Sequence, residues 1–237
     1  MLIFSIALNG YARFCKRSIA SQQDYAERIG ADYICVTQPS AWQMAAGCCW
    51  LKVPLLLKAM EAGYEHVMYV EADTFINADA PDIREELVDD KQVYMANDEA
   101  GHINSGVILM RHHALSIHFL LFILLNRNKP LVEGAKVPRE ENIHMGRAWA
   151  NSNATRLLDS KWQRNICASP ENYIFRISTG KALKAIKYRV LKRLAMRGVR
   201  CFVFRSISVS RQRKSESKLL SDVLKRYPEH FAANPAI

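Results

Sequence analysis

The sequence of 237 residues predicts an α/β fold, a mostly parallel sheet with helices on both faces, followed by a basic helical C-terminal segment. Three observations predict it. Short apolar runs alternate with stretches of helical periodicity. One apolar run stops on a pair of acids, as strands do at the ligand-binding edge of an open sheet. Basic residues crowd the last part of the chain, while the rest is slightly acidic.

Leu2–Leu8 is a continuous apolar run that ends at Asn9-Gly10, and it reads as a buried first strand. It has neither a basic start nor a small-residue cleavage site, so it is not expected to be a signal peptide. Tyr11–Ile29 has helical spacing, and Tyr33–Val36 is the second strand. Pro54–Ala62 reads as a helix with proline in its first turn and Gly63 as its stop. Val67–Val70 is a short apolar strand, Asp82–Val88 a short helix, and Gln92–Ala96 and Ser105–Met110 are two further strands. Thr155–Leu158 is the last strand. His113–Asn126 is a mostly apolar helix whose apolar stretch is broken by Ser116 and His118. That stretch falls short of the roughly 20 residues needed to cross a bilayer, so no membrane span is expected.

Acids all but vanish beyond Ile174–Thr179, which divides the chain into a domain over residues 1–175 and a tail over 176–237. Residues 176–226 hold sixteen Lys and Arg against Glu216 and Asp222, a local balance of +14, whereas the remainder balances at −4. Leu183, Ile186, Val190 and Leu194 fall within about 80° of one another on a helix, with Lys184, Arg189 and Lys192 opposite. Such a tail calls for an acidic partner or surface. The six cysteines, Cys15, Cys35, Cys48, Cys49, Cys167 and Cys201, show no CxxC pair and no zinc spacing. They are expected to be buried free thiols in a reducing cytosol.

The chemistry concentrates in His66-Val-Met-Tyr-Val-Glu71-Ala-Asp73. Alternation along the extended chain sends Glu71 and Asp73 to the same side, at the carboxyl edge of the sheet. Two hard oxygen ligands there can hold Mn²⁺ or Mg²⁺, which neutralises a diphosphate. The same spacing also suits a solvated turn.

The surrounding order is Trp50-x-Lys52, a helix, the Glu-Ala-Asp strand end, Asn97-Asp98, then Asn104-Ser-Gly106-Val-Ile-Leu-Met-Arg111. The opening Phe4-Ser-Ile-Ala-Leu8-Asn9-Gly-Tyr11 precedes Tyr25-Ala-Glu-Arg-Ile-Gly30-Ala-Asp32-Tyr33. Over about residues 2–165 this order resembles the GT-A-type glycosyltransferases, in particular the galactosyl- and mannosyltransferase branch with glycogenin-like enzymes. The resemblance implies a GT-A-like, Rossmann-like domain that binds a nucleotide-sugar donor. It implies Glu71 and Asp73 as the ligands of Mn²⁺ or Mg²⁺, with Glu standing where the family has Asp. Leu8, Asn9 and Tyr11 would meet the nucleoside, and Lys52 the phosphates or the sugar. Ser105 and Gly106 would line the sugar pocket. Asn104, Glu140 and Glu141 would stand near the reacting carbon, and Asp159-Ser-Lys-Trp162-Gln-Arg-Asn165 resembles a later Trp-Asn stretch. The family's third metal ligand, a histidine soon after that stretch, has no match, because only His230 follows Trp162.

Bland alternatives stand beside these roles. Lys52 also reads as a surface lysine, Gly106 as a residue that permits close backbone approach, and Glu140-Glu141 as a solvated helix start. His102 sits in a loop that should face the pocket.

The expected function is therefore transfer of a sugar from a nucleotide-diphosphate donor to a glycan or lipid-linked acceptor, with retention of configuration. A surface-polysaccharide or lipopolysaccharide setting fits, with a cytoplasmic chain attached peripherally to an anionic membrane through residues 181–226. Two alternatives are a basic nucleic-acid-binding protein and a non-catalytic sugar-nucleotide-binding domain. Nucleic acid is disfavoured as a partner, since the tail has few aromatics and the acid pair would be left without a purpose.

Overall fold

The computed structural model describes residues 1–39, 49–98, 101–130, 141–162, 172–176 and 209–233. Its main sheet contains β1 (Leu2–Ile6), β2 (Asp32–Val36), β3 (His66–Val70), β5 (Val93–Asn97), β6 (Ile103–Arg111) and β7 (Thr155–Leu157), in the order β2-β1-β3-β6-β5-β7. β1 pairs in parallel with β2 and β3, and β5 with β7. Only β6 runs against the others, between β3 and β5. All six strands expected from the sequence are present in this one mostly parallel sheet.

Alternation sorts the strands onto two faces. Leu2, Phe4, Val67, Tyr69, Val93, Met95, Ile108 and Met110 point to one core, which α2 (Lys52–Glu61), α3 (Ala114–Asn126) and α4 (Glu141–Ala150) cover. Ile3, Met68, Val70, Tyr94, Val107 and Leu109 point to a second core under α1 (Lys16–Arg28). Helices on both faces make the fold α/β, as predicted.

Several elements differ from the sequence reading for local reasons. The first strand stops at Ile6, not Leu8, because Asn9 (φ 60°) and Gly10 (φ 79°) turn the chain through two left-handed residues. Asparagine tolerates that conformation and glycine adopts it without cost. The helix expected over Tyr11–Ile29 begins as a 3-10 turn, Tyr11–Arg13, before α1 proper. Asp82–Val88 likewise becomes a 3-10 turn over Ile83–Glu86, its Asp82 side chain accepting from the Arg84 amide at 2.9 Å. The helix start offered at Glu140-Glu141 as an alternative is the start of α4, which runs over Glu141–Ala150; a small second sheet, in which β4 (Thr74–Ile76) pairs antiparallel with β8 (Ile174–Arg176), was not expected. Of the cysteines, Cys15 is a buried free thiol as expected, but Cys35 is only half-buried and Cys49 is exposed. Cys48, Cys167 and Cys201 lie outside the described residues.

The C-terminal segment is more than an appendage. α5 (Val209–Arg226) and the short α6 (Pro228–Phe231) return to the first core, where Leu219, Val223 and Phe231 are buried. Phe231 meets the Phe4 ring edge to face at 5.7 Å. The Tyr227 hydroxyl accepts from the Thr37 and Gln38 amides, both at 3.2 Å, tying the tail to the end of β2. Arg127, at the end of α3, pairs with Glu216 at 2.7 Å and stacks over Trp50. The apolar stripe Leu183–Leu194 lies outside the described residues.

Candidate active site

The carboxyl end of β3 is where the predicted residues meet. Glu71 leaves the strand and the chain turns at once, with the Thr74 amide donating to the Glu71 carbonyl at 2.9 Å. The acids therefore lie on a tight turn rather than on the extended chain expected from the sequence, so strand alternation is not what sets their directions. Asp73 is 3% exposed and its Oδ2 accepts from the Tyr11 hydroxyl at 3.2 Å. That bond joins the left-handed Asn9–Gly10 loop after β1 to the acid turn after β3, neighbouring strands of one sheet.

The third wall is the start of β6. The Glu71 amide donates to the Gly106 carbonyl at 2.9 Å, and the Gly106 amide to Asn104 Oδ1 at 2.8 Å. Opposite this segment the pairing of β5 with β6 slips, so that Met95 faces Ile108 while Ala96 faces Asn104. A bulge of this kind re-aims side chains beside a site. Within the slipped stretch, the buried Ser105 side chain meets Lys52.

Lys52 is the floor. It is 1% exposed, and its ammonium donates to the Ser105 carbonyl (3.1 Å), Ser105 Oγ (2.7 Å) and Glu141 Oε1 (3.1 Å). Those three acceptors use all three of its N–H donors. It also lies 5.0 Å from the centre of the Tyr69 ring. Asn142, next to Glu141 on α4, accepts from the Ser105 amide at 3.0 Å and also bonds the Ser105 hydroxyl. α4 is thus docked by its first turn onto β6 and Lys52. Burial, and then the acidic groups around it, Glu71 first, hold the Tyr69 phenol well above its usual pKa. Tyr69 stays protonated amid acids and offers Lys52 a neutral ring face.

Leu8 is buried beneath the Asn9–Tyr11 loop, in the first core. Tyr11, Asp73, Glu71 and Gly106 form one connected set. Lys52, Ser105, Glu141 and Asn142 form another, and the consecutive residues Ser105 and Gly106 join the two. Glu140 lies outside the described residues. His102 does not turn into a pocket. It is 80% exposed and belongs to a turn in which its amide donates to Asp98 Oδ1 at 2.9 Å. His230, the histidine nearest to the expected third ligand in sequence, instead meets the Tyr64 hydroxyl at 3.1 Å.

Tyr69, Asn142 and three residues of α1 were not foreseen. Ser18, Ser21 and Gln22 are buried and polar at helical spacing, on the face that meets the acid turn. A polar stripe where α1 should be apolar was the available signal.

The mostly parallel sheet, covered by helices on both faces and carrying one reversed strand, is a GT-A-like α/β fold. No protein-family model matches the sequence, and no curated protein matches it. Among solved structures, a glycosyltransferase involved in glycosylation of the major capsid of PBCV-1 aligns with TM-score 0.58 at 11% identity, over 79% of this chain and 98% of that one. Mouse xyloside xylosyltransferase 1 aligns with TM-score 0.49 at 9% identity, over 75% of this chain and 97% of that one. The galactosyltransferase LgtC, in complex with donor and acceptor sugar analogs, aligns with TM-score 0.48 at 12% identity, over 75% of this chain and 87% of that one.

Proposed function

We propose that the protein is a glycosyltransferase that takes its sugar from a nucleotide-diphosphate donor. The observation that carries this reading is the Glu71–Thr74 turn, which presents two carboxylates at the carboxyl edge of β3 and is bonded through Asp73 to the loop after β1. In open α/β sheets that edge is the ligand side.

The donor set suits a hard divalent cation such as Mn²⁺ or Mg²⁺, because Glu71 and Asp73 offer carboxylate oxygens. Among the described residues no group of three His, Cys, Asp or Glu side chains is arranged to hold a metal. Glu71 and Asp73 would therefore hold it together with diphosphate oxygens and water. Bound there, such a cation would supply charge neutralisation for the departing diphosphate. The side chains do the rest. Tyr11 orients Asp73 by its hydrogen bond, and Lys52, occupied by Glu141 and Ser105, acts by holding β6 and α4 in register. Glu141 is held by Lys52 and only slightly exposed. Retention of configuration, a hexose donor and a glycan acceptor belong to this proposal through the sequence resemblance.

With Glu71 and Asp73 as the two side-chain ligands found among the described residues, the empty protein should bind Mn²⁺ weakly, and Mn²⁺ and a nucleoside diphosphate should each raise the other's affinity by the same factor. Titration calorimetry with Mn²⁺, UDP and GDP, separately and together, measures this. Tight Mn²⁺ binding without nucleotide, or nucleotide binding indifferent to Mn²⁺, contradicts the proposed site.

Attachment to an anionic membrane is part of the same proposal. No helix among the described residues is long and apolar enough to cross a membrane. α3, however, leaves Leu115 46%, Leu121 39% and Leu125 73% exposed within about 120° of its circumference. Together with the basic residues of 181–226, this apolar face suits the interface of an anionic leaflet. Cutting the chain at 181 would strip Leu219, Val223 and Phe231 from the core, so the test keeps the whole chain. Flotation with phosphatidylglycerol vesicles should capture the protein at low salt, release it on adding salt, and weaken in Leu121→Ser/Leu125→Ser. Equal capture by neutral vesicles, or none at low salt, contradicts it.

A further inference from the structure

We infer that Gln22, with Ser18, is a positioning residue that sets the direction of the Glu71 and Asp73 carboxylates and so governs how tightly the site binds a divalent cation with a nucleoside diphosphate. The inference rests on the reading of that turn as the metal–diphosphate site.

The inward face of a helix on an α/β sheet is normally apolar, because burying polar groups gains nothing unless each finds a partner. On α1 that face carries Ser18, Ser21 and Gln22, all buried. Ser18 and Ser21 also bond back to the Cys15 and Ser18 carbonyls, as helix serines do, but every other partner of the three belongs to one segment or to the residue that holds Gln22. The Gln22 amide nitrogen donates to the Glu71 carbonyl at 2.9 Å and the Thr74 carbonyl at 2.6 Å, using both of its N–H groups. Ser18 Oγ reaches the Ala72 carbonyl at 2.5 Å, and Ser21 Oγ accepts from the Ile76 amide at 3.1 Å. Gln22 is held in turn, its Oε1 accepting from the Tyr33 hydroxyl at 2.9 Å, which bonds Ser5 Oγ at 3.0 Å. Every polar atom of the Gln22 amide thus has a fixed partner.

Consider the peptide planes of the turn. The plane before Glu71 is held through its amide on the Gly106 carbonyl. The next two are held through the Glu71 and Ala72 carbonyls, by Gln22 and Ser18. The plane after Asp73 is held by the Thr74 amide on the Glu71 carbonyl, and the one after Thr74 by Gln22 again. With all five fixed, the backbone around both acids cannot rotate, and the Cα–Cβ directions of Glu71 and Asp73 are set before any ligand arrives. Any buried turn must satisfy its backbone groups, and here the partners are side chains of one helix, so a single element fixes the turn. A site that must bring two carboxylates to one cation gains from this, because outer partners that orient metal ligands affect affinity strongly.

The test uses Gln22→Met, nearly the same shape without the two donors, and Ser18→Ala with Ser18→Thr, which restores the hydroxyl. For each folded variant, calorimetry measures Mn²⁺ affinity in the presence of UDP or GDP, whichever the wild-type protein binds, and the affinity of the matching monophosphate without Mn²⁺. The expected result is a roughly ten- to hundredfold loss of Mn²⁺ affinity in Gln22→Met, a smaller loss in Ser18→Ala, recovery in Ser18→Thr, and unchanged monophosphate binding. Wild-type Mn²⁺ coupling in Gln22→Met, even with a lowered melting temperature, would assign Gln22 to packing only and overturn the inference. If Gln22→Met does not fold, unchanged coupling in Ser18→Ala overturns it instead. A wild-type protein without Mn²⁺ coupling refutes the metal reading itself, and the inference with it, which separates the two failures.

Discussion

Asp73→Asn is expected to lower kcat/KM by about a thousandfold or more while leaving the fold in place. A single well-placed electrostatic group is commonly worth a hundred- to a thousandfold in rate, and loss of a cation ligand removes at least that much. The substitution preserves shape, and the amide oxygen can still accept from the Tyr11 hydroxyl, so the bond between the two loops is kept. What it removes is the negative charge at the carboxyl edge of β3. Asp73 is almost wholly buried, and a neutral group there is no harder to bury than a charged one. The melting temperature should therefore hold or rise slightly. Kinetics with the true donor, alongside thermal unfolding, check both halves of the expectation. A variant with near wild-type turnover would place the chemistry elsewhere.

Lys52→Met is expected to cost about 3–5 kcal/mol of stability, the usual penalty for stripping one partner from a buried ion pair. Lys52 is almost completely enclosed and the Glu141 carboxylate is only 13% exposed, so solvent screens the pair little. Methionine fills the volume of the stem but leaves the carboxylate of Glu141 and both oxygens of Ser105 without their donor. Adding Glu141→Gln should recover a good part of the loss, since the stranded charge is then gone. Urea unfolding of the two single variants and the double variant measures this as a coupling energy. A loss under about 1 kcal/mol in the single variant would contradict the pair's part in holding α4 to β6.

Much of the architecture was legible because it depends on apolar alternation. β1, β2, β3, β5 and β6 are short, largely apolar runs bounded by turn residues, and each was found; β7, Thr155-Arg-Leu157, was found too, although it is short and mixed. The orientation of β6 was not legible, since a buried strand reads the same in either direction. β4 and β8 were missed because three residues establish no period, and α4 was reached only through its start at Glu140-Glu141, because His144, Gly146 and Arg147 break up its apolar positions. At the site, motif order brought Tyr11, Glu71, Asp73, Lys52, Ser105, Gly106 and Glu141 to attention. The sequence could not reveal what each one touches. Lys52 looked equally like a phosphate ligand or a surface lysine, and it is a buried ion-pair partner. The acid pair looked like a strand end and is a turn whose backbone α1 holds, a function of Ser18 and Gln22 that only three-dimensional contact exposes.

The central claim, that this site activates a sugar nucleotide, is tested most directly by following a panel of UDP- and GDP-sugars by proton NMR. Each is incubated with Mn²⁺ and either the wild-type protein or Asp73→Asn. Anomeric protons report donor consumption, and new nucleoside diphosphate signals report the leaving group. The predicted result is slow consumption of one donor, with matching release of its nucleoside diphosphate, by the wild-type protein and not by Asp73→Asn. Binding of a donor and Mn²⁺ with no consumption of any sugar nucleotide, or equal consumption by Asp73→Asn, would contradict it.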